Sequence, residues 1–179
     1  MKCPRCGLIV TDQVPQCRGC GFSLEDLDRR AGRLPERTGF VSDHAGLLSP
    51  EERAALEQRL ARFHEENGGE IVVATVATTR PVKPAEYVFW LFNRWNVGGP
   101  EHAGLLLLLA VAERRIESEV GYSWEPFVSD VESGEVLDEY VVPLLKEGRF
   151  AAALTTGVER LATILEASKQ PDPAEGGTS

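Results

Sequence analysis

The chain has 179 residues and a formal net charge of −9, with a sequence pI of about 4.9. That length fits one ordinary domain plus a small appendage. The acidic balance argues against broad phosphate-backbone binding, which needs clustered Lys and Arg.

All four cysteines lie in the first twenty residues, as two matched hooks, Cys3-Pro4-Arg5-Cys6-Gly7 and Cys17-Arg18-Gly19-Cys20-Gly21. Two thiolates separated by two residues can grip one tetrahedral ion, and the glycine after each hook lets the backbone curl so that amides point at sulfur. Ten residues join the hooks, which is the spacing of a short zinc ribbon with Cys3, Cys6, Cys17 and Cys20 as ligands of one Zn²⁺. A redox C-x-x-C is normally single and opens a helix, and paired disulfides need an oxidising compartment, so zinc is the preferred reading. Lys2, Arg5 and Arg18 against Asp12 leave two positive charges in the hooks. A four-thiolate zinc centre carries about −2, so the module is near neutral and nucleic acid is a disfavoured partner.

Residues 1–22 are too few to bury a core, so zinc is expected to supply their folding energy. Residues 23–37 (SLEDLDRRAGRLPER) are charged, with three scattered leucines and no aromatic, and read as a linker with at most a helical turn. The main domain, 38–167, is then expected to keep its core when the ribbon unfolds.

Ser49-Pro50-Glu51-Glu52 is a capping box with Pro in the first turn, and Leu56, Leu60 and Phe63 repeat at helical spacing up to Asn67-Gly68-Gly69. Residues 70–78 (EIVVATVAT) form a β-branched central strand. A second helix covers 84–95, burying Val88, Leu91, Phe92 and Trp95, and NVGGP at 96–100 ends it. Residues 104–112 (GLLLLLAVA) are about half the length of a membrane-spanning helix and read as a buried strand.

Glu113-Arg114 reverses the chain into a third strand, 115–121, whose Ile116, Ser118 and Val120 face the core while Glu117 and Glu119 face water. A third helix starts near Ser129-Asp130 and stops at Pro143. A fourth spans 150–167, with Leu154, Val158, Leu161 and Leu165 on one side. The tail from Ser168 is polar and is expected to be disordered. The order predicts an α/β fold, a small mixed sheet sandwiched between helices. With no apolar core at Met1-Lys2-Cys3 for a signal peptide, the expectation is a soluble, cytoplasmic protein.

Residues 40–49 (FVSDHAGLLS) resemble the opening motif of the TPM domain, V-x-D-x-A-G-x-L-S before the first helix. Matches follow in order at EIVVATV (70–76), LFNRW (91–95), GLLLL (104–108) and Val120-Gly121-Tyr122, with Glu125, Asp130, Pro143 and Gly148-Arg149-Phe150 at family positions. The resemblance covers residues 38–165. It implies an α/β sandwich with an acidic, divalent-cation-binding loop cluster at one edge of the sheet. Some members are described as phosphatases and others as membrane-protein or photosystem-repair accessories. Most are exported and membrane-anchored, where this chain carries cysteine hooks instead.

On this basis Asp43, Glu125 and Asp130 are candidate ligands for Ca²⁺ or Mg²⁺. The plainer reading makes Asp43 a turn-forming residue and Asp130 the N-cap of the third helix. His44 and His102 neighbour the site in motif order. His102-Ala103 replaces the family's usual amide-bearing pair, and Ser123 replaces a glycine in the usual G-Y-G-x-E, so weaker cation binding is expected. Trp124 either covers this pocket or packs in the core with Trp90 and Trp95, and His64 is structural.

No Walker-type loop, no G-x-S-x-G elbow and no phosphatase-type Cys–Arg loop is present outside the hooks. The favoured function is therefore a non-catalytic binding or adaptor protein with a protein partner. The alternative is a metal-assisted phosphatase acting on phosphate monoesters.

Overall fold

In the computed structural model, which describes residues 3–8 and 16–168, four strands form one sheet in the order β1-β2-β3-β4. The strands are β1 (Val41–Asp43), β2 (Glu70–Val76), β3 (Gly104–Ala110) and β4 (Arg115–Val120). The first three run parallel, with Val41 opposite Val73 and Ile71 opposite Leu105, and β4 returns antiparallel with Leu105 opposite Val120. The two apolar runs are thus neighbouring central strands joined to an antiparallel edge strand, as the sequence predicts. The short β1 was legible only as a motif. Its edge is closed by Glu57, whose carboxylate accepts the Phe40 and Val41 amides at 2.9 and 2.7 Å.

Among the described residues six α-helices surround the sheet: α1 (Leu24–Ala31), α2 (Pro50–Asn67), α3 (Pro84–Arg94), α4 (Asp130–Val136), α5 (Val142–Lys146) and α6 (Phe150–Ala167). Period-two alternation divides the core between the two faces. Ile71, Val73, Leu105, Leu107 and Leu109 pack with Leu56, Leu60 and Phe63 of α2 and Leu154, Val158 and Leu161 of α6. Val72, Ala74, Leu106 and Leu108 pack with Val88, Trp90, Leu91 and Phe92 of α3. Both faces of β2 and β3 are covered, which is why their sequences read as continuous apolar runs. Among the described residues, no helix is long and apolar enough to cross a membrane.

Three expectations change. Within the charged stretch read as a linker with a helical turn, Leu24–Ala31 forms a full two-turn helix with Ser23 as N-cap, accepting the Asp26 amide at 3.2 Å, and Leu27 is fully buried. Leu24, Leu27 and Ala31 fall at i, i+3 and i+7, and one narrow apolar stripe against α3 is enough to hold it. Pro143 does not end the third helix. A π-turn at Leu137–Val141 carries the chain into α5, where Pro143 sits in the first turn and its missing N–H is harmless.

The third change is Glu119, which is buried rather than wet, with 7% exposure. Its strand partner is Leu106, on the face that α3 covers. Ile116 and Val120 do pack inward, on the opposite face. Beyond Ser168 the expected disordered tail lies outside the described residues, as does residue range 9–15 between the hooks.

Candidate metal centre

The two cysteine hooks fold into the same knuckle twice. In the first, the Cys3 amide donates to Leu8 O at 2.7 Å and the Gly7 amide to Cys3 O at 2.8 Å. In the second, Cys17 donates to Phe22 O and Gly21 to Cys17 O at the same two distances. Each repeat needs a left-handed residue after its second cysteine, and Gly7 and Gly21 supply it at φ 75° and 71°. Gly19 lies under the sulfurs, where an added Cβ would come within 3.5 Å of Cys6 Sγ and 3.8 Å of Cys17 Sγ.

The knuckles bring the four sulfurs together. Cys3 Sγ lies 3.7 Å from Cys20 Sγ and Cys6 Sγ 3.5 Å from Cys17 Sγ, and all four fall within 4.8 Å of one another. A disulfide would need about 2.05 Å, and all four cysteines are free. A tetrahedral Zn²⁺ with Zn–S of about 2.3 Å sets sulfur–sulfur edges of about 3.8 Å, close to the separations seen. The donor set fits a soft, tetrahedral ion. Burial pushes the Cys3 thiol up to about 12. Burial works to raise Cys17 too, but the Cys20 and Gly19 amides together with the Cys6 and Cys3 side chains bring that thiol down to about 7.

The expected carboxylate site is not assembled in this way. Asp43 ends β1 beside Thr75, at the C-terminal end of the parallel strands. Glu125 follows the turn after β4, where Gly121 donates to Gly104 O at the start of β3. Those ends are five residues apart along β2, about 16 Å at the rise of a strand. Asp43 is also spent on its own loop. One carboxylate oxygen accepts the Leu47 amide at 3.1 Å and the Thr75 hydroxyl, and the other accepts the Leu48 amide at 2.9 Å. Burial would raise its pKa, but the Thr75 hydroxyl and the Leu48, Leu47 and Gly46 amides hold it below the usual carboxylate range.

Asp130 begins α4, but the N-cap is Ser129, which forms a capping box with Glu132. Glu125 and Asp130 are close enough to Glu119 for their charges to matter. Burial, and then the Asp130 and Glu125 charges, push the Glu119 carboxyl well above its ordinary value. Among the described residues, the cysteines form the one group of three or more Cys, His, Asp or Glu whose ligating atoms gather within 4.8 Å.

The neighbouring residues take structural roles. Ser123 has no positive φ, and the left-handed residue nearby is His102, at φ 51°. His44 Nε2 lies 2.9 Å from Glu36 O, and His64 Nδ1 lies 3.1 Å from Gly69 O. Trp124 is core, perpendicular to Phe63 at 5.8 Å and tight over Gly69. Trp90 donates to Asp28 at 2.8 Å and Trp95 to Pro35 O at 2.9 Å.

Two acids escaped the sequence reading. Glu70 accepts from Arg37 at 3.1 Å and from the Gly98 amide at 2.8 Å, fixing the turn after α3. Glu86 accepts Arg5 Nε at 2.9 Å and Arg30 Nη1 at 3.3 Å. The available signal for Glu86 was its position before an unbroken apolar run, Tyr87–Val88–Phe89–Trp90–Leu91–Phe92, where an acid must find a partner.

A four-stranded mixed sheet between helix layers, fronted by a four-cysteine knuckle pair, defines a small metal-binding α/β class. The TPM domain family model matches residues 41–164, most of the chain, and the protein belongs to that family. Solved structures agree with this. The N-terminal domain of a P. gingivalis protein is 28% identical, with a TM-score of 0.68 over 73% of this chain and 84% of that one. The N-terminal domain of cg2496 from Corynebacterium glutamicum is 18% identical, with a TM-score of 0.57 over 83% and 90%. The BA42 protein of Bizionia argentinensis is 20% identical, with a TM-score of 0.57 over 67% and 82%. The last two similarities concern the fold alone. No curated protein matches the chain.

Proposed function

We propose that this protein is a zinc-ribbon TPM-domain protein that holds one structural Zn²⁺ through Cys3, Cys6, Cys17 and Cys20 and serves as a non-catalytic binding or adaptor protein for a protein partner. The observation that carries the metal reading is the sulfur cluster, whose edges of 3.5 and 3.7 Å match a tetrahedral thiolate site. Four free thiols suit a reducing compartment such as the cytoplasm.

The non-catalytic part is supported by the placement of Asp43. A phosphatase of the kind the family suggests needs a cation and a phosphate held by converging loop oxygens. Here Asp43 braces the turn before α2, at the sheet end opposite Glu125.

The test combines two assays on the full chain. Zinc content should be one ion per chain in protein prepared under reducing, chelator-free conditions. Phosphate release from an aryl phosphate should stay at the buffer rate with or without added Mg²⁺. Sub-stoichiometric zinc would sink the metal reading, and Mg²⁺-dependent turnover abolished by Asp43→Ala would replace the adaptor reading with the phosphatase.

A further inference from the structure

The face of α3 that turns away from the sheet is covered by the knuckles and α1. Cys3, Cys17, Phe22 and Leu27 belong to one apolar cluster with Phe89, Trp90, Val72 and Leu106. The Phe22 ring meets Phe89 edge-on at 5.6 Å, and the Arg5 guanidinium stacks 4.9 Å over Phe22. The centre of the contact is Glu86, whose side chain is only 5% exposed, between Arg5 and Arg30. Arg5 stands between two of the cysteine ligands, so the charge that meets Glu86 is positioned by the fold of the metal site itself.

We infer that Glu86, some eighty residues from the first knuckle in sequence, is a positioning residue for the metal centre: closing the cysteine site and docking it on α3 are one coupled transition. The inference rests on the zinc reading above. A buried carboxylate that loses its cationic partners carries a desolvation cost. The conformation that keeps Arg5 on Glu86 is therefore favoured, and it is the one that shapes the first knuckle. Metal binding selects the same conformation. Coupling of this kind is reciprocal, so whatever metal contributes to the α3 contact, the α3 contact contributes to metal affinity.

The test is a competition titration of Zn²⁺ against a colorimetric chelator, using the full chain with Glu86 intact or changed by Glu86→Gln, and far-UV circular dichroism to check the fold. Removing one charge-assisted contact of this type should weaken Zn²⁺ binding about tenfold. Glu159→Gln, on α6 at the opposite face of the sheet from α3 and paired with Arg59, should leave affinity unchanged. If Glu86→Gln fails to fold, Arg30→Gln is scored instead, because Arg30 is 37% exposed and reaches the same carboxylate without touching a ligand residue. Equal Zn²⁺ affinity in the variant and the parent, within twofold, would overturn the coupling while leaving the zinc site standing. Failure of the parent chain itself to bind Zn²⁺ would overturn the zinc reading, and the coupling with it.

Discussion

The cysteine knuckles and the carboxylate loops both present metal-ligating side chains, and they differ in what holds them in place. In the knuckles, backbone amides bond to backbone carbonyls, which fixes the turn and leaves the sulfurs facing one another. In the loop before α2 the order is reversed, and the Asp43 side chain is what bonds the amides. A ligand set formed by a repeated local motif is complete once the turn forms. A ligand set gathered from three loops depends on where the sheet sends each strand end, and this sheet sends Asp43 and Glu125 to opposite ends.

The largest effect that would break this comparison lies in the knuckles. Cys17→Ser, or a strong chelator, should abolish stoichiometric zinc and also lower the melting temperature of the whole chain by about 10 °C, since structural zinc is worth many kcal/mol and the knuckles pack on α3. Trp90, bonded to Asp28 of α1, should report the change in fluorescence. An unchanged melting temperature with zinc removed would mean that the knuckles and the domain core are separate.

Asp43→Asn should cost about 2 kcal/mol, because it weakens two amide bonds and one hydroxyl bond to a charged oxygen. The loss should show in urea unfolding at neutral pH, with no change in zinc content. The Asp43 pKa is depressed in the folded state. Its contribution is therefore present above the ordinary aspartate pKa and is lost as pH falls through the folded value. The stability gap between the parent and Asp43→Asn should thus begin to narrow as pH falls below about 4 and close only below the depressed folded-state value.

Glu119→Gln is the smallest change and has the opposite sign. The folded-state pKa is raised by burial and by the Asp130 and Glu125 charges. Its ordinary protonated form costs nothing below the unfolded pKa, and destabilisation grows as pH rises from there through the folded value. The neutral amide should therefore stabilise by about 1 kcal/mol at pH 7 and by nothing at pH 4. A destabilising result at pH 7 would show that the carboxylate is charged and paired in the folded chain.

Much of this contrast was legible in the sequence. The duplicated hook spacing, the capping box at Ser49 and the two apolar runs each carry their structure locally, and the helix at Phe150–Ala167 shows its apolar stripe plainly. What escaped depends on distant partners. The α1 stripe is three residues wide and acquires meaning only against α3. Glu119 follows the alternation of a half-wet strand, but α3 covers the other face too. Glu86 and Glu70 hold residues far away in sequence, a relation that no local pattern encodes. The carboxylate cluster came from family motifs, whose order along the chain does not reveal which end of a strand each one occupies.

The most direct test of the metal assignment is zinc K-edge X-ray absorption on the zinc-loaded full chain. The account predicts a first shell of four sulfurs at about 2.3 Å. A first shell containing oxygen or nitrogen at about 2.0–2.1 Å would place the ion away from the four cysteines and contradict it.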